Sequence, residues 1–151
     1  MKKLIALFIP FLLASPVLAD EPAAFIAQPP KDMTYLDVPG MDGLRAAVLY
    51  GNPEQEGLYV IRVVFPAGMR SPPHFHDQDR YITVIEGVWH FGTDQSGGCE
   101  GAKALPAGSF GFHPAGAVHY DGSCGAPVTV QIMGEGPVKT TWLGGADSST
   151  E

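Results

Sequence analysis

A chain of 151 residues with a net charge of −7 and only 9 Lys and Arg is too acidic for a nucleic-acid partner or an anionic membrane surface. Its length suits one domain built on one core.

Met1-Lys2-Lys3, the apolar run Leu4 to Leu13 and the small residues up to Ala19 have the three regions of a secretory signal peptide. The expected cleavage lies between Ala19 and Asp20, with Val17 and Ala19 in the positions that precede such a site. The apolar run is too short to span a bilayer, so no membrane contact is expected once residues 1–19 are removed. A periplasmic or secreted protein of roughly 130 residues results, more acidic by the loss of Lys2 and Lys3.

Residues 20–40 carry Pro22, Pro29, Pro30 and Pro39 and read as an N-terminal arm, with at most a short strand near Thr34 to Val38. Leu44 to Tyr50 and Leu58 to Phe65 are predicted strands, separated by the turn-forming Gly51-Asn-Pro-Glu-Gln-Glu-Gly57. Pro72 and Pro73 force an extended approach into His74. Tyr81 to Ile85 turns at Glu86-Gly87 into Val88 to Phe91, and Thr93 to Gly101 is a polar loop. Ser109 to Phe112, Val118 to Tyr120 and Val128 to Met133 supply further short strands. Tyr81, Trp89 and Tyr120 are expected in the core.

No stretch after residue 20 has a helical period. Many short strands broken by Gly and Pro indicate an all-β sandwich or barrel, here spanning residues 41–145 and followed by a tail at 146–151. Cys99 and Cys124 both lie in glycine-rich loops of the exported part, where an oxidising compartment favours a disulfide between them. No serine sits in a nucleophile elbow, and the glycine-rich stretches lack the phosphate-loop pattern.

The chemistry concentrates between Gly68 and Ser123. His74 and His76 are two apart, so on an extended backbone both imidazoles project from one face and can share a metal ion. Five residues separate Gly68 from His74, three separate His76 from Arg80, and six separate Arg80 from Gly87. Further on, Gly108 is followed after five residues by Pro114-Ala115-Gly116 and, two residues later, by His119.

These two stretches resemble the paired motifs of the cupin superfamily, and the resemblance covers residues 68–123. It implies a single-domain jelly-roll type antiparallel β-barrel holding one divalent transition metal on His74, His76 and His119. Three imidazoles suit Fe, Cu, Zn, Ni, Co or Mn without selecting one. The chain departs from the pattern twice, with Arg80 in place of the metal-binding glutamate and Ser123 in place of a closing asparagine. His113, beside Pro114, is a candidate fourth ligand or acid–base group. An arm such as residues 20–40 can cross to a second subunit in small cupins, so a homodimer is expected.

Arginine cannot ligate a cation, and at about 6 Å with an effective dielectric of about 20 it repels a dication by several kcal/mol. Either Arg80 turns onto Asp77, Asp79 or Asp121, or an anionic small-molecule ligand bridges it to the metal. The first functional expectation is therefore an exported barrel that binds a metal and a small anion. The alternatives are a three-histidine dioxygenase acting on a small thiol, diketone or carboxylate, and a metal-free structural barrel.

Overall fold

The computed structural model describes residues 24–143. The predicted signal peptide and the 146–151 tail lie outside the described residues. Eleven strands follow in chain order: β1 (Leu36–Asp37), β2 (Arg45–Tyr50), β3 (Gly57–Phe65), β4 (His74–His76), β5 (Arg80–Glu86), β6 (Val88–Gly92), β7 (Lys103–Pro106), β8 (Phe110–His113), β9 (Tyr120–Gly122), β10 (Val128–Gly136) and β11 (Thr140–Trp142). One 3-10 turn at Pro30–Asp32 precedes them.

Six strands form one sheet in the order β1-β2-β3-β10-β5-β8, three form a second in the order β7-β6-β9, and β4 pairs with β11. Every pairing is antiparallel. The all-β architecture is the one expected from the short strands and their punctuation, and the single-domain jelly-roll arrangement is the one the cupin resemblance implies.

The period of two decides which side chains enter the core. Along β3, Tyr59, Ile61, Val63 and Phe65 point inward, and opposite them on β10 lie Val128, Val130 and Ile132. Ile82 and Val84 of β5 and Trp89 of β6 complete this interior with Leu44. Each such aliphatic side chain, once buried, contributes about 1.5–3 kcal/mol relative to exposure.

Trp89 and Tyr120 are fully buried as expected, whereas Tyr81 is 46% exposed and is not a core residue. Its neighbour Ile82 takes the inward position, so alternation sends Tyr81 to the outer face, where it lies 5.3 Å from the Phe112 ring. Two strands, β7 and β11, have no counterpart among the predicted ones. The strand predicted at Val118 to Tyr120 begins two residues later, because His119 makes only a single bridge to His74 before β9 pairs with β6.

Cys99 and Cys124 are bonded, with Cα atoms 5.9 Å apart, and tie the β6–β7 loop to the β9–β10 loop. Arg70 braces the same loop through Nε to the Gly97 carbonyl at 3.0 Å. Ser123, the residue standing where the cupin pattern has asparagine, is fully buried. Its Oγ donates to the Ala126 carbonyl and accepts from the Gly125 N–H at 3.1 Å, so its hydroxyl organises the turn into β10.

Candidate metal centre

Three backbone relationships bring the histidines together. His74 and His76 alternate on β4 with Phe75 between them, so both imidazoles face the barrel interior. His74 and His119 exchange both backbone hydrogen bonds, each at 2.8 Å, which sets their side chains next to each other with ring centroids 4.3 Å apart. Arg80 on β5 pairs in register with His113 on β8, and both lie on the inward side of their strands.

The four histidines at 74, 76, 113 and 119 are buried, and so is Asp121. One ligating nitrogen from each of His74, His76 and His119 lies within 4.8 Å of the other two. Imidazole nitrogens bind zinc at about 2.0–2.1 Å, and three of them grouped on one side of the barrel interior are of the type and number that a single ion uses.

Hydrogen bonds set the tautomers. Carbonyl oxygens only accept, so His74 donates from Nδ1 to the Pro72 carbonyl at 2.8 Å, and His119 donates from Nδ1 to the Ala117 carbonyl at 2.9 Å. Both rings thereby keep the Nε2 lone pair for an ion, the orientation that metal-binding histidines take from such outer contacts. Nε2 of His119 is buried with no hydrogen-bond partner. Leaving such an atom unpaired costs about 1–3 kcal/mol, which an ion would recover.

His76 differs. Nη1 of Arg80 lies 2.7 Å from its Nε2, and because guanidinium only donates, that nitrogen accepts. Its Nδ1 then carries the proton and donates to Oγ1 of Thr140 at 3.0 Å. Burial first, and the Arg80 charge second, push the His76 pKa down to about 2, with His74 and His119 adding in the same direction. Burial likewise lowers His74 and His119, opposed at each by Asp121 and by the carbonyl its Nδ1–H meets. His113 is driven far below the usual imidazole range, mainly by burial and then by His119. Neutral imidazoles are the ligating form.

None of the carboxylates proposed for Arg80 takes it. Asp77 accepts from the Lys139 N–H at 2.7 Å, Asp79 from the Ala115 N–H at 2.8 Å, and Asp121 from Oγ of Ser71 at 3.0 Å. Among the described residues the one side-chain ion pair is Lys31–Asp32. Arg80 is thus a half-buried cation without a carboxylate, and its Nε has no partner.

A cavity of about 180 Å³ opens beside the cluster. Its polar end carries Ser71, His74, His76, Arg80, Asp121 and Thr140; its other wall is apolar, with Val38, Met41, Leu44, Ile61, Val63 and Phe65. Trp142 also lines it and lies 4.7 Å from the His74 ring. Thr140 and Trp142 carry no motif in the sequence that would mark them as site residues. Their strand is only three residues long and follows Pro137, which hides a β signal of two threonines and a tryptophan. Val38 places the end of the arm region against the cavity, with Met41 just beyond it, and β1 pairs with β2.

Residues 30–139 match the family model DUF4437, a domain of unknown function. The chain belongs to this family. DUF4437 here has the cupin fold, as the solved structures show. The polyketide cyclase RemF from Streptomyces resistomycificus superposes with a TM-score of 0.64 at 18% identity, over 80% of this chain and 87% of that one. An RmlC-like cupin from Shewanella frigidimarina gives 0.58 at 22% identity, over 74% and 91%. The DMSP lyase DddQ from Ruegeria pomeroyi gives 0.59 at 19% identity, over 76% and 64%. No curated protein matches the sequence. The DUF4437 chain therefore combines a cupin barrel with a buried histidine cluster able to hold a metal ion.

Proposed function

We propose that this protein is exported and binds one divalent transition metal through His74, His76 and His119, together with a small anionic ligand gripped by Arg80. The observation that carries this reading is the pairing of a buried imidazole cluster with a cation that no acid neutralises. A carboxylate with a hydrocarbon body fits the cavity: its oxygens meet the guanidinium and the ion, and its apolar part lies against Val38, Met41 and Leu44. Taking such an anion also draws Arg80 away from Nε2 of His76, which frees that nitrogen to ligate. The metal would supply Lewis-acid polarisation of a bound oxygen or an activated water.

Export is supported by the Cys99–Cys124 bond, which suits an oxidising compartment, and by the signal-like N-terminus. Self-association of two copies is supported by the outer-face row Phe112, Tyr81 and Met133, cross-strand neighbours that are all exposed. Sedimentation of the mature chain as a monomer would remove the dimer.

Isothermal titration of small aliphatic and aromatic carboxylates into metal-loaded protein tests the central reading. Saturable binding that disappears on Arg80→Ala is expected. Equal binding by that variant would contradict it. The dioxygenase alternative requires oxygen uptake by the ferrous protein with a thiol, diketone or carboxylate, and its absence across all three classes would leave a binding protein.

A further inference from the structure

A second set of ligating atoms lies beside the first in the barrel interior and shares one member with it. One atom each from His113, His119 and Asp121 lies within 4.8 Å of the others, and all three residues are buried. The rings of His113 and His119 approach to 3.8 Å between centroids. Nε2 of each is buried with no hydrogen-bond partner.

On His119 this nitrogen carries a lone pair, because Nδ1 holds the proton given to Ala117. His113 is fixed by packing, with the Phe91 ring stacked at 5.0 Å and the Trp89 ring at 5.6 Å. Asp121 accepts from Oγ of Ser71, which fixes its carboxylate. Two neutral imidazoles and a carboxylate with a tethered oxygen form a donor set suited to divalent Fe, Co, Mn or Zn.

We propose that His113, His119 and Asp121 form a second cation position, the one filled while Arg80 sits on His76. The inference rests on the metal-binding reading above. His119 has one free nitrogen, so the two positions exclude each other. In the first, Nε2 of His76 is covered by Arg80; in the second, no donor covers a ligating nitrogen of His113 or His119. Asp121 thus returns, from β9, a carboxylate that the strand carrying Arg80 lacks.

Cobalt(II) alone, without carboxylate, is the probe, read by titration calorimetry and by visible absorption. One Co²⁺ per chain is expected. His113→Gln and Asp121→Asn should each weaken it at least tenfold and change the visible spectrum, in protein whose circular dichroism and disulfide are intact. X-ray absorption of the unmodified cobalt protein keeps the test independent of any folding defect, and two imidazoles with one carboxylate are expected. Three imidazoles, or unchanged affinity and spectrum in both variants, would overturn this position and leave the metal-binding reading standing. Failure of the unmodified protein to bind cobalt would overturn both.

Discussion

Nη1 of Arg80 donates to Nε2 of His76 at 2.7 Å, which puts a fixed positive charge on the nitrogen a cation would need. A guanidinium has no lone pair to offer a metal, so the contact competes with ligation and does not assist it. Arg80→Glu removes the competitor and adds an acidic donor. It should tighten divalent metal binding by about tenfold or more, about 1.4 kcal/mol, and abolish carboxylate binding. Calorimetry on both proteins with a metal and with a carboxylate panel checks this, and an unaltered carboxylate affinity would reduce Arg80 to a structural residue.

Acid should destabilise the metal-free protein. The buried imidazoles of His74, His76, His113 and His119 all titrate below their ordinary 6.5 in the folded state. Below pH 6.5 the unfolded chain therefore binds protons that the folded chain does not, so stability falls as pH drops through that value toward the His76 pKa of about 2. Each fully depressed histidine contributes a slope of up to about 1.4 kcal/mol per pH unit within that window. Thermal melts between pH 8 and pH 4 should show a falling midpoint, and a flat profile would mean the rings accept protons without unfolding.

Cleaving the Cys99–Cys124 bond releases a closed loop with a sequence separation of 25. Double replacement by serine should lower unfolding free energy by about 3–4 kcal/mol, the chain-entropy value for a loop of this size. Urea denaturation measures the loss. Free thiols in the non-reduced mature protein would contradict the bond itself.

Gly111 lies two residues before His113 on β8, facing the buried Trp89. A Cβ added there would come 2.7 Å from Cζ3 of the indole. Gly111→Ala should cost about 1–3 kcal/mol by overpacking, and the displaced indole should disturb the stacked His113. Denaturant unfolding with tryptophan fluorescence reads both effects, and an unchanged midpoint would show that Trp89 has room to move.

Much of this arrangement could be read from the chain because its determinants are local. The β-branched run Leu58 to Phe65 has to be a strand, and the spacing of His74 and His76 puts both rings on one face once Pro72 and Pro73 extend the backbone. The contact between His119 and His74 has no local signature and was visible only through the cupin spacing. Its nearness in sequence to the motifs makes Asp121 a candidate partner for Arg80, yet its oxygen is held by Ser71, fifty positions away in sequence. Thr140 could not be placed beside His76 in advance, because register between β4 and β11 depends on the whole barrel closing. Tyr81 faces outward for a related reason: aromatic character says nothing about which parity of a strand faces inward.

The most direct test is elemental analysis of mature protein purified from the exported fraction without chelator, alongside His74→Ala/His119→Ala, which removes His119 from either cation position. One transition-metal ion per chain in the unmodified protein, and none in the double variant, is the expected result. No metal in the unmodified protein, or the same amount in both, would contradict the account.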